Sequence, residues 1–193
     1  MLGFRMARAL AVALLAPLLA ALAPAAEAVV KRKPPSIFDS PLLWATVNVC
    51  DTKNSPDTIG IRGSMPGSAV RGERMYMRFQ VQYLSKSEQR WHNITQGADS
   101  GWVSVGSARY KSRQAGWSFR FATPTDGSTE LLRGAVTFEW RRGDKVINHA
   151  QKRTTARHRS ATGADPPGYS SSHCKILPDA TAPPAPTGPT DDG

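Results

Sequence analysis

Leu42-Leu43-Trp44-Ala45-Thr46-Val47-Asn48-Val49-Cys50 alternates with a period of two. Leu43, Ala45, Val47 and Val49 fall on one side, and Trp44, Thr46 and Asn48 on the other. Successive side chains of an extended chain point to opposite faces, so the pattern predicts a half-buried β-strand. It ends at Cys50, one of 2 cysteines; the other, Cys174, lies near the end of the last segment with strand character. A bridge between them would clamp the first strand to the last.

Downstream, the same period recurs. In 73–84, Met75, Met77, Phe79, Val81 and Tyr83 alternate with Tyr76, Arg78, Gln80 and Gln82. A helix would set Met75 and Phe79 together but misplace Met77 and Val81, so strand is the better reading. Shorter strands are expected at 58–65, 90–95, 101–107, 117–121, 131–140, 145–155 and 169–177. Between them lie turn-forming clusters such as Asn54-Ser55-Pro56-Asp57 and Arg142-Gly143-Asp144. In 101–107, Val103 and Val105 claim the core side, which turns Trp102 outward. Trp117 and Trp140 are expected to be buried among Phe119, Phe121 and Phe138. Several two-faced strands with uneven connections predict an all-β fold: a single antiparallel β-sandwich of about 7–9 strands over 42–177.

The flanks read differently. In 1–28, Arg5 and Arg8 precede an alanine- and leucine-rich run, and Ala26-Glu27-Ala28 fits a small-x-small cleavage site. That is the pattern of a secretory signal peptide, cleaved after Ala28. The alternative, a membrane anchor, needs roughly 20 apolar residues; this run is shorter and broken by Pro17. Residues 29–41 form a basic lead-in expected to be flexible. Residues 178–193, rich in Pro, Ala and Thr, offer little to bury and are expected to be disordered. Export predicts an extracellular location and an oxidising compartment, where 2 cysteines pair as Cys50–Cys174. The competing reading makes them free thiols serving as nucleophile or ligands.

The chain carries 25 Lys and Arg against 15 Asp and Glu, a net charge of +10. Such a surplus favours polyanionic partners or plain solubility, and says nothing of fold. Much of it falls in 141–159, where Arg141, Arg142, Lys145, Lys152, Arg153, Arg157 and Arg159 face only Asp144. In a strand pair turning at Gly143, some of these would share one exposed face. The bland reading is a charged edge that resists aggregation.

The chemistry of catalysis is harder to place. No G-x-S-x-G elbow, H-E-x-x-H helix or glycine-rich phosphate loop occurs. Ser170-Ser171-Ser172-His173 holds nucleophile types without a placed base. His158 and His173 lack metal-ligand spacing, and Asp51, Asp57 and Asp99 form no EF-hand loop. No metal and no cofactor is expected.

Trp140-Arg141-Arg142-Gly143-Asp144-Lys145-Val146 resembles the tryptophan strand and following turn of immunoglobulin-like domains, and Tyr169 ahead of Cys174 resembles their closing strand. The chain is thus similar to secreted bacterial proteins with an immunoglobulin- or fibronectin-like sandwich. Three features depart from that pattern: Trp140 lies far beyond Cys50, Tyr169 lies five residues before its cysteine rather than two, and Cys50 is out of phase with Val47 and Val49. The last departure puts the expected bridge at strand ends or on an outer face.

The function expected is a non-catalytic binding module of the cell envelope. Its partner would be a cell-wall polysaccharide or an anionic polymer, not a specific nucleic acid. Its candidate binding residues are Trp102 and the seven cations of 141–159. A purely structural envelope role is the alternative, and a hydrolase comes third.

Overall fold

The structure is a computed structural model that describes residues 36–124 and 127–178. The expected leader, 29–35 of the lead-in and 179–193 of the tail lie outside the described residues. A short 3-10 turn, Ile37–Asp39, precedes nine strands. They are β1 (Trp44–Thr52), β2 (Ser55–Pro66), β3 (Glu73–Ser85), β4 (Arg90–Asn93), β5 (Asp99–Ser107), β6 (Ser112–Arg120), β7 (Glu130–Arg142), β8 (Lys145–Arg153) and β9 (Cys174–Ile176). Among the described residues no helix is long and apolar enough to cross a membrane.

Two antiparallel sheets form the sandwich. The first has the order β1-β2-β6; the second has β4-β3-β7-β8, with β5 also on β3 and β9 also on β7. β4 takes Gln82 to Ser85 of β3, and β5 takes Arg74 to Gln80 of the same edge. On the far side, β8 and β9 likewise share the free edge of β7. Val47, Ile59, Ile61 and Met65 of the first sheet and Met75, Met77, Phe79, Val81, Val136, Phe138 and Trp140 of the second are fully buried. The Trp140 indole donates from Nε1 to the Pro66 carbonyl at 2.9 Å, which satisfies its one polar atom.

β1 is not half-buried as its period predicts. Leu43 through Val49 are all buried. After β8 the chain leaves the second sheet at Thr154, crosses to β1, and returns at Cys174. Along the way Thr155 N donates to Ala45 O (2.8 Å), Ser171 and Val47 exchange backbone bonds (2.9 and 3.0 Å), and Asp165 N donates to Asn48 O (2.9 Å). This crossing segment covers the outer side of β1. The His158 ring stacks on Trp44 at 4.5 Å, and Asn48 Nδ2 donates to Gly163 O at 2.7 Å. The expected closing strand over 169–177 is therefore only the three residues of β9.

The disulfide forms, with Cα atoms 5.3 Å apart, but not where the period places it. The β1–β2 register slips between Val47 and Val49, so Cys50 comes opposite Ile59, a core residue. This β-bulge puts Asn48 and Val49 on the same outer side and returns Cys50 to the inner one. Gly60 makes room for it: a Cβ there would sit 2.8 Å from Val49 Cβ. Cys174 is itself buried in the core. The bridge thus links the two sheets from the first residue of β9 to a position near the end of β1, as expected of strand ends, but on the inner side rather than on an outer face.

Trp117 is the other correction. It lies opposite Ile61, on the inward side with Phe119, yet remains 45% exposed. β6 is an edge strand, so a large inward side chain there has strand neighbours on one side only.

Candidate functional site

Alternation leaves one broad face of the second sheet turned outward. β3 contributes Tyr76, Arg78, Gln80 and Gln82, and β7 contributes Arg133, Thr137, Glu139 and Arg141. Trp102 of β5 lies opposite Arg78 and is 39% exposed, as its phase against Val103 and Val105 predicts. The Arg141 guanidinium sits 4.6 Å from the Trp102 ring centre and 4.3 Å from that of Tyr76. It bridges two aromatics from different strands, each contact contributing about 0.5–1 kcal/mol at an exposed site.

Most charges at this end are paired; among the described residues Arg74, opposite Arg141, reaches only the Ser104 hydroxyl at 3.5 Å. Arg141 Nε donates to Glu139 at 2.6 Å. Arg78 grips Asp99 through both Nε and Nη2, and Gln80 Nε2 donates to the same carboxylate at 3.0 Å. The Arg78 hydrogen bond, ahead of the amides of Gly101 and Gln80, holds the Asp99 carboxyl below the usual carboxylate range. These pairs fix the rims around Tyr76 and Trp102.

A second aromatic cluster occupies the opposite end of the face. Trp91 of β4 lies opposite Leu84 of β3. The His173 ring stacks on it at 5.2 Å with an interplanar angle of 9°, and the Arg133 guanidinium lies 4.1 Å from its ring centre. Arg133 Nε donates to Gln82 Oε1 at 2.8 Å, and Gln82 Nε2 passes the chain on to Asn93 Oδ1 at 2.8 Å. Burial, and then the Arg133 charge, lower the His173 pKa. Trp91 and Trp102 meet β3 at positions 84 and 78. Six residues of strand put them about 20 Å apart along one edge.

The seven cations of 141–159 do not stay together. Arg141 and Arg153 reach the outer face, the latter opposite Ala135. Arg142 turns the other way and pairs with Glu73, which is 3% exposed, at 2.9 Å. Lys145 stands at the turn, Lys152 lies opposite core residue Val136, and Arg157 and Arg159 belong to the segment that crosses to β1. A strand alternates faces and the chain changes sheets at Thr154, so charge dense in sequence becomes dispersed in space.

The other candidates hold structure. Ser170 Oγ binds Thr46 Oγ1 (2.7 Å) and accepts from His158 N (2.8 Å), while Ser172 Oγ meets His173 Nδ1 (2.9 Å). His158 packs on Trp44 and His173 on Trp91, so the two do not meet. Asp51 accepts from Asp57 N, and Asp57 in turn accepts from Thr123. Among the described residues no group of three His, Cys, Asp or Glu side chains is placed to hold a metal ion. A cavity of about 330 Å³ opens at one end of the sandwich, lined by Tyr83, Ile94, Phe121, Ala122, Glu130, Leu132 and Ile176.

Tyr76, Arg78, Trp91 and Arg133 are the members of the face that sequence reasoning did not single out. The alternation of β3 placed Tyr76 and Arg78 outward, but their partners come from other strands. Fold and face define an all-β sandwich with one open aromatic–arginine sheet surface. No protein-family model matches the chain, and no curated protein matches it.

Proposed function

We propose that this protein is a secreted, non-catalytic β-sandwich that binds a polysaccharide of the cell envelope on the outer face of its second sheet. The observation that carries the reading is the Trp102–Tyr76–Arg141 group. Three side chains from three strands form one surface, and Trp102 keeps 39% of its area exposed. Contiguous exposed aromatic surface marks ligand-binding faces, and here Trp102 and Tyr76 are joined into one patch by Arg141. The apolar faces of sugar rings pack against such indoles, while neighbouring amides and guanidinium groups reach the hydroxyls.

The Cys50–Cys174 bridge supports an oxidising, extracellular location, in keeping with the leader-like sequence of 1–28. Strand order supports the immunoglobulin-like reading of the sandwich. In chain order, β1-β2-β6 corresponds to strands A-B-E, and β8-β7-β3 with the edge β4 and β5 to G-F-C-C′. Trp140 then stands on the F-like strand rather than C, and the bridge is not the family's B–F link.

The test is a polysaccharide binding array with the parent and Trp102→Ala. The variant is expected to bind at least about tenfold more weakly while losing no more than about 1 kcal/mol of stability, because its ring is half exposed. Equal binding by the variant, or a variant that unfolds, would return Trp102 to structure and leave a structural envelope role as the better reading.

A further inference from the structure

We infer that the Trp91 end of the same face is a second subsite, one that takes carboxylate groups, so that the ligand is a linear acidic polysaccharide lying along β3. This rests on the reading of the face as a carbohydrate surface.

The two ends differ in charge. Around Trp102, Arg78 is paired with Asp99 and Arg141 with Glu139, which leaves Arg74, opposite Arg141, as the one cation there without an ion pair among the described residues. Around Trp91, three cations point outward: Arg133, Arg153 opposite Ala135, and Lys175 opposite Leu131. Among the described residues none of the three enters an ion pair. Arg133 is also partly desolvated; burial, and then the Arg153 charge, lower its pKa. A guanidinium taken from water without a counter-charge is held at a cost, and an anion brought to it recovers that cost. Its Nε is engaged by Gln82, while its two terminal nitrogens have no acceptor among the described residues. A planar guanidinium with its terminal nitrogens free suits a carboxylate.

The span between the ends suits a chain rather than a single sugar. About 20 Å separate the two tryptophans along a straight edge, and the amides of Gln80, Gln82 and Asn93 fall in between. A single-stranded nucleic acid is the other polymer with stackable rings and charge. It carries a phosphate at every unit and is bound by a groove positive along its length. Here the unpaired positive charge is concentrated at one end, three cations against the single Arg74 at the other.

The probes are linear polyuronates (polygalacturonate, alginate and hyaluronate), each beside its carboxyl-reduced neutral form, with oligo-dT as the competing polymer. At least one polyuronate is expected to bind about tenfold or more tighter than its reduced form at 50 mM salt, the preference shrinking at 200 mM. In the Arg133→Gln, Arg153→Gln, Lys175→Gln triple variant that preference should fall below about threefold, the three unpaired cations being its source. Trp102→Ala should weaken both forms alike. Equal binding of acidic and reduced forms, or a triple variant that keeps the parent's preference, overturns the acid subsite and leaves the carbohydrate face standing. Tighter binding of oligo-dT than of every polyuronate overturns it too. Failure of the parent to bind any form removes both readings.

Discussion

Thr154 is the residue on which the crossing segment turns, and replacing it with valine isolates the contribution of one buried hydroxyl. It follows β8 directly and is 4% exposed. Its amide donates to Gly134 O at 3.0 Å. Its hydroxyl accepts from Gly134 N at 3.1 Å and donates to Ser172 O at 2.6 Å. One side chain therefore ties the departure of the segment to its return. Its methyl packs so closely over Gly134 that a Cβ there would lie 2.7 Å from Thr154 Cγ2. Thr154→Val keeps the volume and removes both hydroxyl bonds. The Gly134 amide is buried and gains no substitute, which costs about 1–3 kcal/mol; Ser172 O is half-buried and can recruit water, so its loss lies at the low end of that range. The total expected is about 2–4 kcal/mol, a large share of a typical 5–15 kcal/mol domain stability. Thr154→Ser keeps the hydroxyl and loses only a methyl group, about 1 kcal/mol. Urea unfolding followed by tryptophan fluorescence measures both variants. A valine variant as stable as the serine variant, or more so, would refute the assignment of stability to the hydroxyl.

Two further predictions concern the same framework. Cys50→Ala with Cys174→Ala opens a loop closed over a separation of 124 residues; the chain-entropy relation puts the loss at about 5 kcal/mol. A loss below about 1 kcal/mol in urea would mean that the crossing segment holds the sheets together without the bridge. Stability should also fall on acidification below pH 6.5, because burial lowers the His158 pKa, and burial with the Arg133 charge lowers that of His173. In that case the unfolded chain takes up protons first, so stability present above 6.5 is lost as pH falls toward the folded-state values. The urea midpoint at pH 5 should lie below that at pH 7.5 by a smaller margin in the His158→Asn, His173→Asn double variant; an undiminished margin would show that other groups carry the acid sensitivity.

What could be read from sequence was what depends on neighbours within one strand. β3 shows this: Met75, Met77, Phe79 and Val81 alternate strictly and are all fully buried. The phase of Trp102 was readable for the same reason. Misreadings arose wherever the deciding partner lay elsewhere. β1 has the period of a half-buried strand, but its outer cover arrives from Thr155 to Ser171, more than 100 residues on. The bulge that turns Cys50 inward leaves no mark on hydrophobic period. Trp117 has inward phase and an edge position, and the position decides its exposure. Trp91 sits in a four-residue strand too short to show any period, and its partners Arg133 and His173 come from β7 and the residue before β9.

The distribution of cover explains why the candidate face lies on the second sheet. A sandwich has two outer faces and four edges, and each exposed edge invites pairing with another chain. The crossing segment closes the free edge of β1 and buries Trp44, Thr46 and Asn48 beneath it. The Arg62 guanidinium lies so close to Gly163 and Gly116 that a Cβ at either would meet it within about 3 Å, and burial lowers its pKa. The edge of β8 is left bare but carries Lys145, Lys152 and Arg153, charges that discourage pairing. The chain therefore spends its long crossing on the first sheet, while the outer face of the second retains tryptophans and arginines stacked on one another across strands. On that face Arg141 spans the rings of Tyr76 and Trp102 while Glu139 holds its guanidinium, and Trp102 keeps 39% of its area exposed because among the described residues no segment crosses over it as one crosses over Trp44.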